Sequence, residues 1–86
     1  MMSKRELPTT KVGEILYEEF MLPLDISATE IAKKLNLPTL IIQSVLYDQE
    51  KITEDISRKL GRLFGVSSKY FLNLQNEIEA RKNKYN

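Results

Sequence analysis

Cysteine and histidine are absent from the 86 residues of the chain, and proline and glycine each occur only three times. Without cysteine or histidine, the chain has no thiol nucleophile, no catalytic triad of the Ser-His-Asp kind and no usual zinc site. The lack of disulfides fits a reducing compartment. No apolar run is long enough for a membrane span, and the polar start does not resemble a signal peptide. We therefore predict a cytoplasmic protein that is not an enzyme and needs no cofactor, metal or small-molecule substrate.

Positive charge is also scarce for a protein that binds nucleic acid. Lysine and arginine total 13 against 12 aspartates and glutamates, which gives a net charge of +1. Since nucleic-acid-binding domains are often more basic, DNA binding would require one basic face on a nearly neutral domain. With 42% hydrophobic and 29% charged residues, a chain of this length predicts one compact domain.

Apolar residues recur at helical spacing and predict an all-α domain. The first helix begins at Val12, and Pro23 is expected to end it because proline interrupts a helix. Ser27 and Glu30 form a capping box at the start of the second helix. The predicted layout is a flexible N-terminal arm at 1–11, a folded domain at 12–75, and a polar tail or helix extension at 76–86.

Similar signals delimit the three remaining helices. The third helix is predicted from Thr39 to Tyr47. Thr53 caps the fourth helix, and Ser67 or Ser68 caps the fifth. Five short helices with tight connections make a single domain.

Residues 27–47 have the pattern of a helix-turn-helix. Ala32 supplies a small side chain where the two helices cross, and Asn36 tolerates the backbone angles of the turn. The apolar side chain of Leu37 is expected to fill the inside of the turn, while Ile42 and Leu46 attach the second helix to the core. In such a motif the second helix enters the major groove of DNA. A helical hairpin in any bundle would share this spacing, so the pattern alone leaves a purely structural role open.

Four stretches of sequence add a family resemblance: VGEILYEEF at 12–20, ISATEIA at 26–32, IT at 52–53 and YFLNLQ at 70–75. With these stretches the chain resembles the HigA-type antitoxins of the XRE, or lambda-repressor-like, helix-turn-helix family. Val12 stands where the family usually has proline, and Phe71 where it usually has tryptophan. The resemblance implies a homodimer that binds a palindromic operator ahead of its own operon. It also implies binding and neutralisation of HigB, a RelE-like toxin that cleaves mRNA.

The resemblance places the base-reading positions at the start and outer face of the third helix. Gln43 is suited to adenine, whereas Thr39 and Ser44 can bond to any base. The N-terminus of the second helix is expected to meet phosphate through its N–H groups. The candidate DNA-binding residues are Ser27, Ala28, Lys33, Thr39, Leu40, Gln43, Ser44, Tyr47, Lys51 and Thr53.

The fifth helix carries the candidate dimer interface. Tyr70, Leu72 and Leu74 are expected to meet their counterparts in a second copy, because aromatic and leucine side chains are common in interface cores. Phe71 is expected in the core of the monomer. The same helix cannot turn all of these side chains inward, so at least one leucine should face a partner.

Two alternative functions remain open at this point. Leu40 and Ile41 are apolar and Asp48 and Glu50 are acidic, all near the expected phosphate backbone. The apolar pair could contact thymine methyl groups, pack against the first helix, or mark a domain that serves only protein interaction. The other alternative is a repressor without a toxin partner. The acidic residues of the first helix could attract a basic toxin.

Overall fold

The computed structural model describes the backbone of residues 11–85 and the side chains of residues 11–81. This range folds into five helices and contains no strand, which confirms the predicted all-α class. The flexible arm predicted at 1–11 lies, apart from Lys11, outside the described residues. Helix α1 consists of the contiguous segments Val12–Ile15, Leu16–Met21 and Leu22–Leu24, and it is followed by α2 (Ala28–Leu35), α3 (Thr39–Leu46), α4 (Glu54–Phe64) and α5 (Tyr70–Tyr85).

Helix α1 continues through Pro23, so the predicted end at that residue was wrong. The middle segment, Leu16–Met21, is a π-helix. Its wider turn shifts the carbonyl that a proline ring would strike in a regular α-helix. The helix ends instead at Asp25, whose left-handed backbone has a φ of 52°.

The helix-turn-helix forms as predicted, from local hydrogen bonds. Ser27 Oγ accepts from the Glu30 backbone N–H, and Glu30 Oε1 accepts from the Ser27 N–H, both at 3.1 Å. Asn36 ends α2 in the left-handed region with a φ of 58°. The Leu37 N–H then donates to the Ala32 carbonyl at 2.8 Å, which closes the turn. Helix α3 therefore starts in a fixed direction relative to α2.

A single apolar core connects the helices. Ala32 and Ile42 are buried within it, which confirms the small crossing residue and the inward face of α3. Leu37 is half-buried and packs against the same core. Helices α2 and α3 pack on each other, and α1 packs against both α3 and α5. The core thus holds α3 from behind and leaves its other side exposed.

Helices α4 and α5 complete the bundle. Thr53 Oγ1 accepts from the Ile56 N–H at 3.2 Å, which confirms the predicted cap. The buried hydroxyl of Ser57 donates to the Ser68 carbonyl at 2.8 Å and accepts from the Leu72 N–H at 3.1 Å. Helix α5 is continuous to Tyr85, so residues 76–85 extend it. None of the helices between residues 11 and 85 has the length and apolar character needed to cross a membrane.

Candidate nucleic-acid interface

One side of α3 is exposed along its whole length. Leu40, Gln43 and Tyr47 follow one another at helical spacing on this side, and Leu40 and Tyr47 are 69% and 74% exposed. The opposite side carries Ile42 and Val45, which are 1% and 2% exposed. A helix that is anchored on one side and exposed on the other can lie in a groove of DNA.

The half-buried residues of α3 border this exposed side. Thr39 and Ser44 are both half-buried, so they flank the exposed side without dominating it. Ile41 is half-buried as well, whereas Leu40 projects into solvent. The two apolar residues therefore differ: Leu40 does not pack against the first helix, and it remains available to a thymine methyl group or to a protein.

The N-terminus of α2 lies beside α3 in the helix-turn-helix. The capping box satisfies the N–H groups of Ser27 and Glu30, which leaves those of Ala28 and Thr29 for an external acceptor. These N–H groups, together with the helix dipole, favour an anion such as a phosphate. The carboxylate of Glu30 opposes part of this attraction, so other cationic groups must contribute to phosphate binding.

Basic residues are found on α2 and on the loop after α3. Lys33 is exposed on α2, and Lys51 is exposed in the loop. Lys51 Nζ forms an ion pair with Glu79 Oε1 of α5 at 2.8 Å. Thr53 is exposed, but its hydroxyl oxygen already caps α4. Its contact with phosphate would therefore come from the N-terminus of the helix and from the hydroxyl hydrogen.

Two residues of α5 were missed as candidates at the sequence level. Gln75 Oε1 accepts from the Ile52 N–H at 2.8 Å, and Gln75 Nε2 donates to the Ile52 carbonyl at 3.0 Å. Glu79 lies one turn further along and holds Lys51. The glutamine belongs to the YFLNLQ stretch, but no local pattern reveals that its partner lies 23 residues away.

The predicted dimer interface requires one correction. Leu74 is 5% exposed and buried in the core of its own chain, so it offers almost no surface to a second copy. Leu74 is buried because it lies on the inner side of α5, where Phe71 is buried as well. Tyr70 and Leu72 are half-buried and keep some exposed surface. Part of Tyr70 is occupied by ring contacts with Phe20 and Phe71, at centroid distances of 5.9 and 5.1 Å.

An acidic groove of about 870 Å³ lies between α1, the start of α2 and the end of α3. Apolar side chains of α1 line it, including Tyr17 and Leu22, which are 47% and 56% exposed. The described residues that line the groove include no lysine or arginine. Its carboxylates are Glu14, Glu18, Asp25 and Glu30, and it reaches the candidate DNA-binding residues Ser27, Ala28 and Tyr47.

The basic residues of α4 form a charged surface with local partners. Asp55 pairs with Arg58 and, at 3.2 Å, with Lys59. These pairs join residues three and four positions apart, which is the usual arrangement on a solvated helix. Nothing in their geometry adds them to the candidate interface.

Comparison with known proteins gives consistent matches. No family model matches the chain. Virulence-associated protein I of Dichelobacter nodosus is 35% identical over 78 residues, which cover 91% of this chain and 72% of that protein. Pseudomonas aeruginosa antitoxin HigA, solved with the higBA promoter, is 30% identical with a TM-score of 0.81, covering 88% of this chain and 83% of that one.

A third match is an addiction module antidote protein of a HigA family from Coxiella burnetii. It is 33% identical with a TM-score of 0.77, covering 84% of this chain and 78% of that one. The fold and the exposed side of α3 define a helix-turn-helix protein of the transcription-regulator class. Within that class, the chain belongs to the HigA-type antitoxins of the XRE family. This membership confirms the prediction that the chain is not an enzyme, because the family consists of non-enzymatic DNA-binding proteins.

Proposed function

We propose that the chain is a cytoplasmic antitoxin that represses its own operon by binding operator DNA as a homodimer. The observation that carries this proposal is the exposed side of α3, formed by Leu40, Gln43 and Tyr47 and anchored by a buried opposite side. The P. aeruginosa relative was solved with promoter DNA, which supports the same use of the fold here. Tyr70 and Leu72 of α5 remain the candidate dimer contacts.

In the proposed complex, each protomer places α3 in a major groove. The two grooves are about 34 Å apart, one turn of the double helix. Gln43 is suited to the edge of adenine, and Leu40 to the methyl group of thymine. Phosphates meet the N-terminus of α2, Lys33 and the loop at Lys51, and these contacts set position without reading sequence. Thr39 and Ser44 border the base-reading side.

The first test compares Gln43→Ala with Lys33→Ala in a mobility-shift titration. The DNA is the gene's own upstream sequence, and an unrelated duplex serves as reference. We expect Gln43→Ala to reduce the preference for the operator about tenfold, because a lost base contact removes about 1–3 kcal/mol of discrimination. Lys33→Ala should weaken binding to both duplexes alike, since a phosphate contact carries no sequence information.

Lys69→Ala is the matched control for the lysine variant. Lys69 is exposed, follows α4 in the chain, and lies outside the helix-turn-helix and the loop that carries Lys51. Its removal changes the net charge equally but should leave DNA affinity close to that of the unmodified protein. If Gln43→Ala and Lys33→Ala both leave DNA affinity unchanged, the proposed DNA face is wrong. If the unmodified protein binds no DNA at low salt yet binds a toxin, the domain serves protein interaction only.

We further propose that a basic, RelE-like toxin binds in the acidic groove. The supporting observation is that carboxylates and exposed apolar side chains of α1 line the same groove. Such a groove complements a basic partner segment with an apolar anchor. Neutralisation of the toxin would follow from sequestering the surface with which that basic protein approaches RNA.

Leu22 and Leu24 provide a matched pair for testing the groove. Both are exposed, at 56% and 61%, but only Leu22 lines the groove. After co-expression with the neighbouring reading frame, we expect Leu22→Ala to weaken toxin binding about tenfold, as for an anchor residue in an interface. Leu24→Ala should have no effect. Equal effects of the two variants would place the toxin elsewhere, and the lack of any captured toxin would favour a repressor without a toxin partner.

A further inference from the structure

The loop between α3 and α4 is fastened to the long helix α5. Within it, Ile52 makes no helical hydrogen bond, yet both of its backbone groups bond to the side-chain amide of Gln75. The Ile52 side chain is itself only 3% exposed and belongs to the core. The amide and the core together fix the position of this one residue within the loop.

The two neighbours of Ile52 are the loop's candidate phosphate contacts. Lys51 precedes it, and Thr53, the cap of α4, follows it. Any displacement of Ile52 would therefore move both of these groups relative to α3. The hydrogen bonds of Gln75 to Ile52 therefore act on the residue between these two groups.

A second contact connects α5 to the same loop. Glu79 lies four residues after Gln75, on the same side of α5, and its carboxylate binds the ammonium group of Lys51 at 2.8 Å. The side chain of Lys51 is 76% exposed and that of Glu79 is 41% exposed, so the ion pair is open to solvent. Since exposed ion pairs are weak and DNA carries a dense line of phosphates, a phosphate can displace this carboxylate.

We propose that α5 regulates the phosphate contacts of the loop through two residues with opposite effects. Gln75 is a positioning residue that holds Lys51 and the start of α4 in place for DNA. Glu79 is an internal competitor that binds Lys51 in the free protein and must release it to phosphate. This inference rests on the proposed DNA binding and assigns functions to residues outside the helix-turn-helix itself.

A double-mutant cycle tests the competitor. DNA affinity is measured for the unmodified protein, Glu79→Gln, Lys51→Ala and the double variant at a fixed salt concentration, with operator and unrelated duplexes. We expect Glu79→Gln to raise affinity for both duplexes about two- to fivefold, since it frees Lys51 from a weak pair. Lys51→Ala should lower affinity, and adding Glu79→Gln to it should restore little.

Glu77→Gln is the matched control for the cycle. Glu77 is exposed on α5 only two residues away, so it points in a different direction from Glu79. Glu77→Gln removes the same charge as Glu79→Gln, and it should raise the affinity for DNA less than Glu79→Gln does. The competitor role is overturned if the two variants raise affinity equally, or if Glu79→Gln raises it as much without Lys51 as with it.

Gln75→Glu tests the positioning residue. A carboxylate can still accept from the Ile52 N–H, but it has no hydrogen to donate to the Ile52 carbonyl. We expect about a tenfold loss of affinity for both duplexes and a salt slope that is shallower by about one, since each lost phosphate contact removes about 0.9 from the slope. A merely smaller folded fraction would lower affinity at all salt concentrations alike and leave the slope unchanged.

Asn76→Asp is the control, because it makes the same amide-to-carboxylate change at an exposed neighbouring position. It should keep both the affinity and the slope close to those of the unmodified protein. A slope in Gln75→Glu equal to that of Asn76→Asp overturns the positioning role. If the unmodified protein binds DNA but the variants match their controls, only this inference fails, whereas a complete absence of DNA binding overturns the proposed function as well.

Discussion

Replacing Gly13 with alanine is expected to separate α1 from the recognition helix α3 and to destabilise the domain severely. A Cβ at this position would lie 2.2 Å from the Leu46 carbonyl oxygen and 2.9 Å from that of Val45. Both atoms belong to the backbone of the last turn of α3, so no side-chain rotation can relieve the contact. We expect a loss of about 3 kcal/mol in the free energy of unfolding, which urea denaturation would measure.

Gly65→Ala is the comparison that isolates the close approach at Gly13. Gly65 has a φ of 73°, and a Cβ there would meet nothing within 4 Å. Its substitution adds only the backbone strain of a left-handed alanine, about 1–2 kcal/mol. A Gly13→Ala variant no less stable than Gly65→Ala would mean that α1 and α3 do not approach as closely as described. DNA binding should also weaken in Gly13→Ala, because the end of α3 must move.

Gly13 illustrates what helical periodicity leaves out. In the sequence Gly13 is one residue of the stretch VGEILYEEF, and a glycine within a helix predicts only a modest loss of helix propensity. In the structure the missing side chain of Gly13 allows the backbones of α1 and α3 to come into contact. Its partner, Leu46, is 33 positions later in the chain, and spacing within one helix carries no information about such a contact.

The features that could be predicted from the sequence depend on neighbouring residues. The capping box of Ser27 and Glu30, the left-handed Asn36 and the Thr53 cap all involve partners within four positions. Their hydrogen bonds are determined by local geometry, which the sequence states directly. These signals located the helix-turn-helix and the order of the helices. They also located the exposed Gln43, because the apolar spacing identifies the opposite side as buried.

The features that could not be predicted depend on distant residues. Pro23 was expected to end α1, but a π segment before it allows the helix to continue. Leu74 was expected at a dimer interface, but the core of its own chain occupies it. Gln75 contacts a backbone 23 residues away, and no pattern in either segment announces this. The part of the candidate site in α2 and α3 therefore depends on contacts between neighbouring residues. The part in the loop before α4 depends on contacts with the distant helix α5.

Truncating Phe71 to alanine should produce the other large loss of stability. Phe71 is fully buried, and its ring lies 5.1 Å from that of Phe20 and 6.3 Å from that of Phe64, measured between centroids. These rings belong to α5, α1 and α4, so the substitution would leave a cavity where three helices meet.

We expect the free energy of unfolding of Phe71→Ala to fall by about 3–5 kcal/mol, a large part of the about 5–15 kcal/mol of a typical domain. Tyr47→Ala is the matched control, because it removes a ring of similar size that is 74% exposed. Its stability should change by less than about 0.5 kcal/mol, although its DNA affinity falls. The two variants thus separate the ring that holds the helices together from the ring that α3 presents to DNA. Equal losses of stability in urea would contradict that division, because they would require Tyr47 to be packed as firmly as Phe71.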